Sequence, residues 1–142
     1  MRSILLHLKN TTQTEVTAHL DQECRHRSLT GRNKQWSWCT EEEPILYIGF
    51  SNASQDLEPE EMEIVRQALG SEPAVTIAVD VSGKTGGDAE VPDFISFVLL
   101  AFEGVAQDDY TSHVWYLDEI LSEVKKDGHP FFDYLGWHKA EA

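Results

Sequence analysis

The stretch Ala74–Val81, AVTIAVDV, constrains the fold most. Val75, Ile77, Val79 and Val81 alternate with Thr76, Ala78 and Asp80. Successive side chains of an extended chain point to opposite faces, so this period of two predicts a strand with one apolar face. Such a face has to be buried under another layer, and the flanking sequence supplies one.

Just upstream, Pro59 suits the first position of a helix, and Glu58, Glu60 and Glu61 favour its positive end. Met62, Val65 and Leu69 then form the buried stripe, and Gly70 closes the helix. Ser3–Leu8 reads as a first strand and Ile45–Phe50, ILYIGF, as a buried one. Thr12 and Glu15 fit a capping box opening a helix over 13–27, with Val16, Leu20 and Cys24 on one stripe. Residues 31–44 look irregular, or like a short edge strand around Trp36–Cys39, and Ser51–Leu57 reads as a turn.

The run FISFVLLAFEG is apolar nearly all round, so its length alone does not separate helix from strand. Pro92-Asp93 as a start and Gly104 as a stop favour a helix, with Phe94, Phe97, Val98, Ala101 and Phe102 packed inward. Short strands are expected around Val105–Gln107 and His113–Tyr116, with a turn at Asp108-Asp109 between them. Asp118 is expected to cap a helix over Glu119–Lys126 that Gly128 stops, and the aromatic tail HPFFDYLGWHKAEA to dock on the body. The whole predicts one domain over residues 1–142, α+β (or α/β), with a small mixed sheet of about four to five strands and three to four helices.

The strand leads into Gly83-Lys84-Thr85, the second half of a phosphate-binding loop. That loop needs a glycine five residues before the second one, where the chain has Ala78. Gly86-Gly87 opposes the required helix, and Asp88 and Glu90 would repel a phosphate. A flexible connection is the better reading, and no nucleotide cofactor is expected.

Charge narrows the function further. The chain has 142 residues and a formal charge of −14, unevenly spread. Residues 1–40 hold six Lys/Arg and three Asp/Glu, a net +3, whereas residues 41–142 hold five and 22, a net −17. Nucleic acids and anionic membranes are bound through Lys and Arg, so neither is an expected partner. A basic protein partner fits, because complementary fields speed encounter and suppress wrong partners. Acidity that serves solubility alone is the competing reading. The N-terminal MRSILLHLKN has too short an apolar stretch for a signal peptide, and no run approaches a membrane span. Two cysteines make no disulfide framework, so the expected compartment is the cytoplasm.

No catalytic or metal-binding set stands out. Cys24-x-His26 with Cys39 matches no zinc spacing, and Cys24 on an apolar stripe reads as a core thiol. Glu41–Glu43 beside Cys39 would raise its thiol pKa, the wrong direction for a nucleophile. A Gly-x-Ser-x-Gly elbow is missing, and neighbouring carboxylates such as Asp118-Glu119 read as solvated faces.

The segment Glu103–Glu119, EGVAQDDYTSHVWYLDE, interleaves acids with aromatic rings. Rings beside carboxylates suit recognition of a cationic surface, and one of the pair Trp115–Tyr116 is expected to fill the core instead. Trp36 and Trp38 pose the same choice between core and surface. The expected partner contacts are Glu103, Asp108, Asp109, Tyr110 and Trp115.

Over residues 92–121, FISFVLLAF, GVAQDD and then YTSHVWYLDEIL, the chain resembles the small acidic immunity proteins of bacterial polymorphic toxin systems. The resemblance implies a cytoplasmic protein that binds and neutralises a cognate toxin, with no catalysis and no cofactor. A small enzyme with a carboxylate-lined pocket for a cationic or sugar substrate, and an accessory domain without a toxin partner, are the alternatives.

Overall fold

The computed structural model describes residues 2–28, 34–40, 43–81, 90–108, 113–126 and 128–132. Its elements run β1 (Arg2–Leu8), α1 (Gln13–Glu23), β2 (Arg25–Ser28), β3 (Lys34–Thr40), β4 (Glu43–Ser51), α2 (Ala53–Asp56), α3 (Pro59–Leu69), β5 (Val75–Val81), α4 (Glu90–Leu99), β6 (Gly104–Asp108), β7 (Val114–Trp115) and α5 (Leu117–Leu121). The strands form one seven-stranded sheet in the order β2-β3-β4-β5-β1-β6-β7. The alternating stretch, β5, is its central strand.

Every neighbouring pair is antiparallel. The class is therefore α+β, and the sheet is larger than expected and antiparallel where a mixed one was expected. Two things make the difference. Residues 25–28, the first three of them expected as the end of the first helix, pair with β3 as an outer strand. And β1 inserts between β5 and β6, antiparallel to both, so the strand–helix–strand order produces no adjacent parallel pair.

Register explains the layering, because directly paired residues point to the same face. Trp36, Ile48, Val79 and Ile4 form one cross-strand row, and Phe50, Ile77, Leu6, Ala106 and Trp115 another. α1 covers this face with Val16 and Leu20, and α4 with Val91, Phe94, Ile95, Val98 and Leu99. Ala101, expected inward, is exposed, because α4 ends at Leu99 and the chain turns there. Each fully buried large side chain contributes about 1.5–3 kcal/mol relative to leaving it in water. The opposite face carries the row Ser51, Thr76, His7 and Val105. There α3 packs Val65 and Leu69 against Val105 and Val114 in a second, smaller core.

The local signals act where the sequence places them. The Thr12 hydroxyl accepts from the Glu15 amide at 3.2 Å and starts α1. Pro59 opens α3, and Gly70 ends it with a left-handed φ of 82°. α1 stops four residues earlier than expected, because Cys24 already has extended backbone. Cys24 is buried in the main core, as a stripe position predicts. The segment expected as a turn after β4 holds the single-turn α2, capped by Asn52, whose side chain accepts from the Ser54 amide. Gly83-Lys84-Thr85 lies outside the described residues. Among the described residues, no helix is long and apolar enough to cross a membrane.

Candidate functional site

The C-terminal end of α3 meets the start of α5 at one side of the sheet. A helix end leaves carbonyls without intrahelical partners and carries partial negative charge. Two distant side chains satisfy the last two of α3, those of Ala68 and Leu69. Lys9, one residue past β1, donates from Nζ to the Leu69 carbonyl at 2.7 Å. Tyr116 donates its hydroxyl to the Ala68 carbonyl at 2.6 Å. Lys9 also lies 3.7 Å from the Glu103 carboxylate, and its amide donates to the Glu103 carbonyl at 2.9 Å.

Tyr116 is in turn the N-cap of α5. Its amide donates to Glu119 Oε1 at 2.9 Å, and the same carboxylate lies 3.3 Å from His113 Nε2. Asp118, expected to cap this helix, stands within its first turn instead, where a carboxylate also suits the helix end. α5 runs only to Leu121, short of the expected Lys126.

Between these elements opens a cleft of about 320 Å³, floored by Leu69, Leu99, Gly104 and Val105 and walled by Glu103, Tyr116, Leu117 and Asp118. The Glu103 side chain is 69% exposed. The Asp118 carboxylate is exposed and has no side-chain partner among the described residues. Tyr116 is 43% exposed, so part of its ring faces solvent while its hydroxyl is held. Leu100, beside Leu99, and Leu121, one turn along α5 from Leu117, are exposed too. The cleft thus combines an apolar floor, a fixed aromatic ring and two carboxylates.

A second cleft, about 370 Å³, is lined by Ser51, Asn52, Ser54, Met62, Glu72 and Thr76 among others. Its carboxylate Glu72 is already bonded to Arg66, and it offers no aromatic ring. It is the weaker site for a charged ligand.

Of the expected contact residues, Glu103 lines the first cleft. Asp108 and Trp115 are buried instead of lining it. Asp108 is buried, and its Oδ2 accepts from the Phe132 amide at 2.9 Å, which docks the chain as far as Phe132 on the body. Trp115 is fully buried, paired in register with Ala106 on the main core face. Strand alternation is the cause: it turns both side chains toward the main core and leaves the next residue, Tyr116, at the surface. Asp109 and Tyr110 lie outside the described residues. Trp36 is core as well, its Nε1 donating to Asp21 at 2.9 Å, while the Trp38 side chain is outside the described set.

Lys9, Leu69, Tyr116 and Asp118, none of them expected as contacts, also line the first cleft. The segment Glu103–Glu119 contains the last two, but Lys9 carries no local signal of its position.

A buried polar chain runs behind the cleft. His7 Nε2 donates to Gln107 Oε1 and Nδ1 accepts from the Thr76 hydroxyl, each at 3.1 Å. Gln107 Nε2 donates on to Glu61 of α3 at 3.4 Å. Burial lowers the His7 pKa, only partly opposed by the Gln107 hydrogen bond, so the ring is held neutral. Shut inside the sheet with both nitrogens engaged, it is a structural tie. Among the described residues, no group of three or more His, Cys, Asp or Glu is placed to hold a metal ion.

Comparison with protein-family models, with curated proteins and with solved structures finds no match to this chain.

Proposed function

We propose that the chain is an acidic binding protein that covers a basic surface on a protein partner, in the manner of an immunity protein neutralising a toxin. One observation carries the reading: the surface holds negative charge that its own cations do not compensate. Every acid whose burial is described, Asp108 excepted, reaches the surface at least in part. Of the cations with described side chains, Lys9 and Arg66 are already engaged by Glu103, Glu63 and Glu72.

Burial of Trp36 and Trp115 removes two indoles as anchors, so the reading rests on Tyr116 and the carboxylates around it. A partly exposed tyrosine with a fixed hydroxyl loses little conformational freedom on binding, which suits an interface anchor. Catalysis is not part of the proposal, because the rigidly bonded groups, His7 and Asp108, are sealed from solvent.

The test is co-purification with the product of the adjacent gene. A complex that forms at low ionic strength and weakens as salt is added supports the reading, since exposed charge pairs are screened by salt. No complex at low ionic strength overturns it.

A further inference from the structure

We propose that the cleft between α3 and α5 receives an arginine side chain of the basic partner, and that Lys9 is the built-in competitor for the same negative surface. The inference rests on the binding role proposed above and names its anchor point.

The occupant follows from what lines the cleft. Glu103 and Asp118 supply negative charge, and Asp118 has no cation of its own among the described residues. The carbonyl end of α3 lies in the same wall, with Leu69 already drawing one ammonium, that of Lys9. A cation is therefore favoured there. Leu99 and Leu117 offer apolar surface for an aliphatic stem. The exposed part of the Tyr116 ring, fixed by its bond to Ala68, offers a face on which a planar group stacks. A guanidinium satisfies all three conditions: it is flat, it stacks on aromatic faces, and its several donors serve two carboxylates at once. A compact ammonium uses only the charge.

Lys9 explains why the cleft is not more negative in the free protein. Its ammonium lies 3.7 Å from Glu103 and 2.7 Å from the Leu69 oxygen. An incoming guanidinium has to share Glu103 with it. Removing Lys9 should thus tighten binding at this cleft, whereas removing a cation elsewhere should not. Arg66 is the control. It is exposed, pairs with Glu63 and Glu72, and does not line the cleft. Lys9→Met and Arg66→Met change the net charge equally.

The probe is Nα-acetyl-arginine amide, titrated into the full chain and followed by backbone amide NMR, with Nα-acetyl-lysine amide in parallel. Shifts centred on Leu69, Gly104, Tyr116 and Asp118 are expected. Glu103→Gln and Asp118→Asn should each weaken binding about threefold, as the loss of one exposed charge pair predicts. Lys9→Met should strengthen it by a similar factor, and Arg66→Met should leave it unchanged. Shifts spread over all acidic faces, equal binding of the lysine probe, or indifference to Glu103→Gln and Asp118→Asn overturns the arginine cleft. An adjacent-gene product that binds Glu103→Gln and Asp118→Asn as tightly as the parent chain overturns the cleft too, while the binding role stands.

Discussion

The ammonium of Lys9 closes helix α3 by donating to the carbonyl of Leu69, 60 residues away in the chain. Helix ends are otherwise finished locally, and here Gly70 supplies the left-handed turn and an amide that donates to the Arg66 carbonyl, leaving the Leu69 carbonyl to Lys9. Lys9→Met should therefore lower stability by about 0.5–1.5 kcal/mol, the net worth of one such hydrogen bond. Lys9→Arg should recover part of that, because it restores a donor. Urea denaturation of the two variants decides it, and equal stability of Lys9→Met and the parent would exclude a capping role.

Gly104 opens β6 at the floor of the cleft. A Cβ placed there would lie 2.6 Å from the His7 carbonyl oxygen and 2.5 Å from Leu8 Cδ2. The carbonyl belongs to the central part of the sheet and cannot step aside. Gly104→Ala should destabilise by about 1–3 kcal/mol, the usual range for overpacking a close-packed site. Gly49→Ala is the comparison, since a Cβ there meets nothing within 4 Å and alanine reduces the conformational freedom that the unfolded chain loses on folding. Thermal melts should separate the two variants clearly. Matching melting temperatures would show that the space around Gly104 is slack.

His7 gives the stability a pH dependence of definite sign. Its folded pKa lies below the ordinary value of 6.5 because burial disfavours the charged ring. The unfolded chain then binds more protons than the folded one in that range, so stability is full above 6.5 and falls as pH drops below it. The groups around the ring are Thr76 of β5, Gln107 of β6 and, through Gln107, Glu61 of α3. Urea midpoints at a series of pH values should decline through this window. His7→Gln should remove part of the decline, and a slope identical in the two proteins would assign it to other groups.

Trp36 and Trp115 are equally buried but not equally bonded. Trp36 Nε1 donates to Asp21 at 2.9 Å, while Trp115 Nε1 is buried with no hydrogen-bond partner among the described residues. Replacement by phenylalanine loses a bond at the first site and removes an unsatisfied donor at the second. Trp36→Phe should cost more than Trp115→Phe, by about 1 kcal/mol. Denaturant unfolding of both variants checks the order, and the reverse order would mean that packing outweighs the donor.

Much of the fold could be read along the chain wherever a local period met a local stop. β5 followed from strict alternation, and α3 from Pro59, a stripe of Met62, Val65 and Leu69, and Gly70. The same reasoning overran α1, because Cys24 continues the helical stripe while its backbone is already extended. Nothing in Arg25–Ser28 announces the strand that β3 makes of it. The site was legible only in part. Glu103 was found because acids and rings cluster in its segment, but Trp115 and Asp108 were placed outward when alternation on β6 and β7 turns them in. The cleft itself depends on Tyr116 reaching Ala68 across 48 residues and Lys9 reaching Leu69 across 60. Such pairs leave no periodic trace in a sequence.

The most direct measurement is calorimetric titration of the adjacent-gene product into this protein, carried out across a salt series. The account predicts a complex whose affinity falls steadily with added salt, and falls by more when Glu103→Lys and Asp118→Lys are combined than when Glu60→Lys and Glu63→Lys are combined on α3. An affinity indifferent to salt and to both pairs of reversals, or no complex at the lowest ionic strength, would contradict it.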